Sequence, residues 1–252
     1  MKNEIIPTIQ NTFKNIDIFE SKELYTLLNK KSEMKESTFH WKLYEFTQKG
    51  ILEKVGRGKY KLGERKIFKP ILNQETIEIY QKISALFPQN IENPIRFCCW
   101  HTSVLNELMN HQPARFFTLI ETEKEVTDSV FHLLREQYAD VFINPTPKEI
   151  NDYIVGKQGV IVIKNLKTEA PTQVIEHIPT TTIEKLLVDI YCDENLFVTY
   201  QEPERETIFR NAFENYVINE SKLFRYARRR SSLGKFDEFQ GYVAFVKSNE
   251  EE

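Results

Sequence analysis

The sequence predicts an α+β fold in two parts, a small helical domain that ends in a hairpin and a larger mixed α/β domain. Three observations predict it. Apolar residues recur at helical spacing before residue 50, and two short strand-like runs follow them. From residue 95 strand-like and helix-like segments alternate, and after Thr182 the pattern is almost wholly helical. Pro70 and a change in charge place the boundary, giving domains of residues 1–69 and 70–252.

The composition is that of a globular protein, because 40% of the 252 residues are hydrophobic and 28% are charged. No run of about 18 apolar residues occurs, so we expect no membrane partner. Three cysteines, two of them adjacent, do not make a disulfide framework, which predicts a cytoplasmic protein. Residues 1–69 hold 15 Lys and Arg against 9 Asp and Glu, a net of +6, and residues 70–252 hold 19 against 28, a net of −9. The basic first domain favours an anionic partner.

Three helices are expected in the first domain. Residues 4–14 carry apolar side chains four apart, on one stripe of a short helix. In "SKELYTLLNKK" the leucines form the buried face, and a turn over residues 29–34 leads to the third helix. That helix, "KESTFHWKLYEFTQKG", repeats Phe and Leu at spacings of four and three and ends at Gly50, which supplies a left-handed terminus.

The stretch "KGILEKVGRGKYKLG", residues 49–63, could be a phosphate-binding loop or a hairpin. A dinucleotide fingerprint needs a glycine where Lys61 stands, and a P-loop needs one where Glu53 stands. Both loops also lead into a helix, whereas "KYKL" alternates like a strand. We therefore predict a hairpin with Arg57 at its tip, between two glycines.

This order of helices and hairpin is that of a winged helix-turn-helix, whose last helix enters the major groove of DNA and whose hairpin contacts the backbone or the minor groove. Hydroxyl and imidazole groups can bind base edges, and lysines pair with phosphates. The candidate DNA-binding residues are therefore Lys35, Ser37, Thr38, His40, Lys42, Lys54, Arg57 and Lys59, with Lys61 beside them on the hairpin. Trp41 is equally compatible with a core anchor and a base contact. A winged helix used only for protein contacts is an alternative.

The larger domain is expected to open with a helix over residues 74–86. Strands are predicted at 95–100, at 115–121, in "DVFIN" and at 159–166, with helices at 102–110 and 123–138 between them. The run "GVIVIKNL" is apolar enough for the centre of a sheet. The four helices expected after Thr182 are "TTIEKLLVDIYCD", "EPERETIFRNAFENYV", "NESKLFRYARRRSSLG" and "KFDEFQGYVAFV".

Catalytic signals in the larger domain are weak. Cys98 and Cys99 are adjacent on a strand and point to opposite faces, so they do not readily share one ion with His101 or His111. A cysteine nucleophile beside either histidine is possible, but buried thiols are far more common. No HExxH, paired CxxC or GxSxG motif occurs. A magnesium nuclease centre would have to combine residues of unspecific spacing, Glu121, Asp140, Lys164 and Glu176. We expect no catalytic residue, no metal and no cofactor.

The strongest charge cluster outside the first domain is "RYARRR", residues 225–230. On a helix, Arg225, Arg228 and Arg229 share one side, and Arg230 turns away. The first three form a possible second basic surface, which could bind a phosphate backbone or an acidic partner. Equally, ion pairs could tie them to the acidic domain, including pairs from Glu202, Glu204 and Glu206.

Three segments of the sequence resemble the AbiEi-type antitoxins of abortive-infection, type IV toxin-antitoxin systems. "FTQKGILEKVGRGKYKLG" is similar to the wing of their N-terminal winged helix. "IPTTTIEKLLVDIYCDENLF" resembles a second motif of that family, which falls here on Pro179, Glu184, Lys185, Leu187 and Asp189. "YVINESKLFRYARRR" resembles their tyrosine-alanine-arginine helix, so the likeness runs from about residue 20 to residue 232.

Within the second motif this chain departs from many relatives, which carry a serine- or proline-led start where Thr182 and Ile183 stand. We interpret Glu184 as a helix-start carboxylate and Lys185 as a solvated lysine, neither with a functional role. Asp189, on an otherwise apolar helix, is a candidate buried polar anchor.

The resemblance implies a regulator that binds inverted repeats upstream of its own operon through the winged helix. It also implies that residues 70–252 counter a nucleotidyltransferase-like toxin without forming a stable complex with it. The expectation is a non-enzymatic, sequence-specific repressor of double-stranded DNA that acts as an antitoxin in phage defence. The alternative is a DNA-acting enzyme, whose nuclease-like body is delivered by the winged helix.

Overall fold

The structure is a computed structural model that describes residues 5–30, 34–87 and 95–248. The turn expected at residues 29–34 falls partly outside these ranges. The fold is mixed α+β, with helices and several sheets. Across the described ranges, no helix combines the length and apolar character needed to cross a membrane.

The chain divides into two compact units. The first comprises Met1–Phe68 together with Phe213–Asn219, and the second comprises Lys69–Ala212 together with Glu220–Glu252. The first unit therefore takes in a short segment from late in the chain, which the sequence did not indicate.

The first unit contains three helices and a small antiparallel sheet. The elements are α1 (Ile5–Phe13), β1 (Phe19–Glu20), α2 (Ser21–Asn29), α3 (Glu36–Gln48), β2 (Leu52–Gly56) and β3 (Lys59–Leu62). The three expected helices and the hairpin are thus confirmed. The sheet has the order β1-β3-β2, with Phe19 opposite Tyr60 and Leu52 opposite Leu62.

One apolar core holds the first unit together. Phe13 of α1 stacks on Phe19 of β1 with ring centroids 3.9 Å apart. Tyr25 of α2 meets Phe39 of α3 edge to face at 5.0 Å. The buried members of this core come from all three helices and from the sheet: Ile9, Phe13, Phe19, Leu24, Leu28, Phe39, Leu43, Phe46, Ile51, Leu52 and Tyr60. Burial of this apolar area is what fixes the orientation of α3.

Helix α3 ends in a Schellman motif. The Gly50 amide donates to the Thr47 carbonyl at 3.0 Å, and the Ile51 amide donates to the Phe46 carbonyl at 2.9 Å. Gly50 has φ +65°, a left-handed conformation that favours glycine, as the sequence predicted. The chain therefore leaves α3 in a fixed direction and enters β2 directly.

The late segment joins the first unit through backbone hydrogen bonds. The Lys66 amide donates to the Asn215 carbonyl at 2.7 Å, and the Val217 amide donates to the Lys66 carbonyl at 2.8 Å. The ring of Tyr216 meets Phe68 edge to face at 5.4 Å, and Val217 packs against the core.

The second unit begins with α4 (Gln74–Leu86), and its strands and helices then alternate. The first series is β4 (Phe97–His101), β5 (Phe117–Thr122), α5 (Thr127–Arg135), β6 (Val141–Ile143), α6 (Pro147–Glu149) and β7 (Val160–Asn165). The second series is β8 (Thr172–Ile175), β9 (Ile178–Thr181), α7 (Ile183–Cys192), α8 (Glu204–Asn215), α9 (Glu220–Arg230) and α10 (Leu233–Ser248). Most expected elements are confirmed. The short helix α6, which a π-helical turn over Ile150–Ile154 continues, was not expected, and there are three further exceptions.

Residues 102–110, expected as an α-helix, form a 3₁₀ helix over Thr102–Leu108 instead. The helix expected at 123–138 is shorter, because its first turn is a 3₁₀ turn and α5 begins at Thr127. The hairpin of β8 and β9 was not expected at all. It is antiparallel, with Thr172 opposite Thr181.

The main sheet of the second unit has the order β4-β5-β7-β6. β4 runs antiparallel to β5, and β5, β7 and β6 are parallel neighbours. "GVIVIKNL" is an inner strand, as expected. One face of the sheet packs on α4 and α5 through residues such as Cys99 and Ile120. The opposite face carries Glu121 and Lys164, whose side chains pair with residues of α7 and of the turn that ends it.

Candidate functional site

Helix α3 turns one face to the core and the opposite face to solvent. Phe39, Leu43 and Phe46 are buried, and they repeat at helical spacing along the inner face. Of the predicted contact residues on or beside α3, Lys35, Ser37, Thr38 and His40 are exposed and Lys42 is half-buried. The helix therefore presents polar groups along its N-terminal half.

Two aromatic side chains stand out on the exposed face of α3. Trp41 and Tyr44 are each 64% exposed, and they lie three residues apart on the same side of the helix. The exposure of Trp41 excludes the core-anchor alternative, because a core anchor would be covered, and the base contact stays a prediction. Tyr44 was missed from the sequence, although its position opposite Phe39, Leu43 and Phe46 would have indicated it.

The hairpin of β2 and β3 carries its cations at the tip. Lys54, Arg57 and Lys59 are exposed, and in the described parts of the chain none of them has an ion pair. Gly58 has φ +70° and allows the tight turn. Lys61 differs, because its ammonium group pairs with Glu53 at 2.7 Å across the two strands. Three of the four hairpin cations are therefore available to an anionic partner.

The arginines of α9 divide as the helical spacing predicts. Arg225, Arg228 and Arg229 are exposed, and Arg230 turns inward. Two of the exposed arginines share one carboxylate partner. Glu169 lies 2.7 Å from Arg229 and 3.7 Å from Arg225. The expected partners are occupied elsewhere: Glu202 pairs with Arg205, Glu204 with His111 and Glu206 with Arg210.

A buried charge cluster joins β5, α7 and α9 in the second unit. The ammonium group of Lys185 pairs with the carboxylates of Glu121 and Asp189. Tyr226 donates a hydrogen bond from its hydroxyl to Asp189 at 2.8 Å, and Arg230 donates to the same oxygen at 3.0 Å. Lys185 is fully buried, so its interpretation as a solvated lysine was wrong. Asp189 is the buried polar anchor that the sequence indicated.

The charge states of this cluster follow from its partners. Burial opposes ionisation of Asp189, but Lys185 and Arg230 outweigh it and hold its pKa below the ordinary value. Burial likewise opposes the charge on Lys185. The carboxylates of Asp189 and Glu121 outweigh the effect of burial, and the pKa of Lys185 is raised well above the ordinary value. For Glu121 burial wins, and its pKa is raised. Buried ions of this kind are stable only while every partner is present.

The magnesium centre considered from the sequence does not form. Glu121 is paired with Lys185, Asp140 lies 3.1 Å from Lys157, and Glu176 sits in the turn between β8 and β9. Lys164 pairs with Asp193. In the ranges that the structure describes, no three His, Cys, Asp or Glu side chains converge as metal ligands would.

The thiols of Cys98 and Cys99 are buried, and burial raises the pKa of both, that of Cys99 to about 12. A raised pKa disfavours the thiolate and burial blocks access, so these features do not support the cysteine nucleophile considered above. His101 contacts Ser103 at 2.7 Å, and His111 lies 3.1 Å from Glu204.

Thiol labelling tests this arrangement. We expect Ellman's reagent at pH 8 to modify one thiol of the native protein, that of the half-buried Cys192, and all three after denaturation. Burial also raises the pKa of Cys192, so its reaction should be slower than that of a free thiol, and the Cys192→Ser variant should show no reaction in the native state. Rapid labelling of two or three thiols in the native state would contradict the packing of β4.

The fold and these surfaces define a two-unit α+β protein with an exposed basic hairpin, an arginine-rich helix face and a buried ionic cluster. The chain belongs to a family described as a family of unknown function (DUF6577), which it matches over residues 38–242. The match begins within α3 and includes the hairpin and most of the second unit. A comparison with curated proteins finds no match.

Proposed function

We propose that the first unit is a winged helix-turn-helix that binds double-stranded DNA, and that the protein is a transcriptional repressor. The observation that carries the proposal is the order of elements, α1-β1-α2-α3-β2-β3, with the three strands in one antiparallel sheet. In a winged helix-turn-helix that order makes α3 the recognition helix and the hairpin the wing.

The exposed face of α3 has the chemistry that a major-groove helix needs. Ser37, Thr38 and His40 can donate to or accept from base edges, and Lys35 at the helix start can pair with a phosphate. Trp41 and Tyr44 add apolar area that can contact thymine methyl groups and sugars. The buried face of α3 is held by the core, so these groups are presented on a rigid element.

The wing supplies the electrostatic part of the interface. Lys54, Arg57 and Lys59 are three exposed cations close together in a hairpin of few residues. Arg57 stands between two glycines, so no neighbouring side chain obstructs its approach to a groove. Each cation that meets a phosphate releases a counterion, which makes binding depend steeply on salt.

We further propose that the protein acts in the cytoplasm as an antitoxin of the AbiEi type and represses its own operon through inverted repeats. The resemblance supports this proposal through two motifs that meet in the second unit, since Asp189 of one bonds Tyr226 and Arg230 of the other. The second unit would then counter a nucleotidyltransferase-like toxin without a stable complex. Co-expression with a nucleotidyltransferase-like toxin of such a system tests this part, because failure of the folded protein to rescue growth would contradict it.

The Arg57→Ala variant tests the DNA-binding proposal most directly. We expect weaker binding to the operator because a wing cation is lost. If Arg57 contacts a phosphate, the slope of log affinity against log salt should fall by about 0.9. If it contacts a base, discrimination at one position should fall by about 1–3 kcal/mol. The measurement is an electrophoretic shift of the full chain on its upstream DNA across a salt series.

The matched control is Lys124→Ala, which removes one exposed cation from the second unit. It should leave both affinity and salt slope unchanged. If the two variants changed the operator affinity equally, or if a folded Arg57→Ala variant bound the operator unchanged, the proposal that the wing contacts DNA would be contradicted. Cleavage of the DNA on addition of Mg²⁺ would move the enzyme alternative to the front.

Trp41 provides a second readout. It is exposed, whereas Trp100 of the second unit is fully buried, so iodide should quench mainly Trp41. Operator binding through α3 should protect this fluorescence, and the Trp41→Phe variant should lose the protected signal. Operator binding without protection would place DNA on another face of the protein.

A further inference from the structure

An open groove of about 780 Å³ lies against α9 in the second unit. We call it the arginine groove, and its lining residues are Glu169, Ser221, Phe224, Arg225, Arg228 and Arg229. Cavities of this size accommodate small ligands or a few residues of a chain. The proposed operator contacts of α3 and the wing lie in the first unit and do not use the groove.

Cations dominate the arginine groove. It holds three guanidinium groups and one carboxylate, that of Glu169. Glu169 engages Arg229 at 2.7 Å and Arg225 at 3.7 Å, whereas Arg228 has no ion pair among the residues that the structure describes. The Arg228 guanidinium instead lies over the ring of Phe236, 4.8 Å from its centroid. The groove therefore keeps a net positive charge.

The arginines stand on a rigid base. Leu223, Tyr226 and Ala227 of α9 are buried, and Arg230 is bonded to Asp189 of α7. The helix cannot rotate without breaking the buried charge cluster. The exposed arginines are thus held on one face, which lowers the entropy lost when they bind an anion.

We propose that the arginine groove binds single-stranded nucleic acid, with the guanidinium groups on phosphates and the ring of Phe224 against a base. Arg225 and Arg229 are separated by about 6 Å of helix rise, which is about two nucleotides of a stacked strand at roughly 3.4 Å each. Arginine forks fit phosphate oxygens, and an aromatic ring beside a cationic groove is the arrangement that sequence-tolerant single-strand sites use. An acidic peptide would use the arginines but would offer no base to stack on the half-buried Phe224 ring, which meets Phe239 edge to face at 6.2 Å.

Glu169 provides a second prediction, in which the affinity for nucleic acid changes in the direction opposite to that expected for loss of the arginines. Its hydrogen bond from Arg229 lowers its pKa, so it stays ionised and occupies the groups that a phosphate would bind. Removal of this charge should therefore strengthen binding, whereas removal of the arginines weakens it. If the ion pairs of Glu169 were purely structural, removal of either the carboxylate or the arginines would lower stability. Neither change would alter the affinity for nucleic acid.

The experiment measures fluorescence anisotropy of a labelled 12-nucleotide oligo-dT with the full chain. All variants carry Arg57→Ala, which removes one of the three wing cations equally from each, so that differences among the variants report on the groove. We expect Arg225→Ala with Arg229→Ala to weaken binding at least about tenfold and to lower the salt slope by about 1.4, or 0.7 for each phosphate contact. Glu169→Gln should strengthen binding several-fold, and Phe224→Leu should weaken it without changing the slope.

The control is Arg210→Ala, which removes a half-buried arginine of α8 that pairs with Glu206. It should leave oligo-dT binding unchanged, and circular dichroism verifies that each variant is folded. Oligo-dT binding that ignores Arg225, Arg229 and Glu169 would overturn the proposal. Binding of poly-glutamate or free ATP, without binding of oligo-dT, would contradict the proposal that the ligand is single-stranded nucleic acid. Operator binding is measured separately on duplex DNA without Arg57→Ala, so either proposal can fail alone.

Discussion

Replacing Lys185 by methionine should lower the free energy of unfolding of the second unit by about 3–5 kcal/mol. The ammonium group of Lys185 is fully buried and neutralises both Glu121 and Asp189. Its loss leaves Glu121 without a cation, whereas Asp189 keeps Arg230 and Tyr226. Urea unfolding in a Trp41→Phe background measures the effect, because Trp100 then reports on the second unit alone.

The control for this prediction is Lys164→Met. Lys164 also pairs with a carboxylate, that of Asp193, but it is partly exposed, so the loss should be about 1 kcal/mol. Combining Lys185→Met with Glu121→Leu should recover part of the stability, because it removes the orphaned charge along with its partner. Equal losses from the two lysine variants would contradict a special role for burial.

The Lys185→Met deficit should also depend on pH. Burial already raises the pKa of Glu121, and removal of the ammonium raises it further. A carboxyl group whose pKa is higher in the folded state loses stability as pH rises through that pKa. The deficit should therefore be larger at pH 7 than at pH 5, and a deficit that grows on acidification would contradict it.

Replacing Gly63 by alanine should destabilise the first unit by about 3 kcal/mol. A Cβ at this position would lie 1.8 Å from the carbonyl oxygen of Gly50 and 3.1 Å from the carbonyl carbon of Ile51. These are backbone atoms, and the Gly63 amide also donates to the Ile51 carbonyl at 2.8 Å. Relief of the clash would therefore move the end of α3 or break that bond. Faster hydrogen exchange in α3 and β2 would measure the loss.

Gly241→Ala in α10 is the matched control. Apart from its chain neighbours and its own helix backbone, no atom of the described residues lies within 4 Å of the added Cβ, and the residue is in a helix. Alanine there should stabilise the second unit by about 0.5–1 kcal/mol, because the unfolded chain loses freedom. Comparable destabilisation by both substitutions would show that the clash at Gly63 is relieved at no special cost.

Local patterns were enough to predict the three helices and the hairpin of the first unit. Helix α3 carries a regular apolar stripe and a glycine terminus, and its neighbours in the hairpin alternate, so each element follows from its own residues. The segment Phe213–Asn219 could not be assigned in this way, because its bonds to Lys66 join residues about 150 positions apart. The residue pattern around Lys66 and the pattern of Phe213–Asn219 do not indicate that these two segments are in contact.

The hairpin of β8 and β9 was missed because its turn lacks the usual residues. Glu176 and His177 both have positive φ, at +49° and +67°, where asparagine and glycine are favoured. Lys185 was misinterpreted for a different reason. Helix α7 is buried from Ile183 to Tyr191 on every side, so its polar residues do not mark a solvent face. The spacing of Lys185 and Asp189, four apart in an apolar helix, was the available signal.

The late segment of the first unit, Phe213–Asn219, has a consequence for synthesis of the chain. Domains usually fold as they leave the ribosome, the N-terminal one first. Here the nascent N-terminal unit can collapse around α1, α2 and α3, but it gains its last backbone partners only after Asn219 has emerged. Most of the second unit is made in that interval. The first unit is therefore completed only after most of the second unit has been translated.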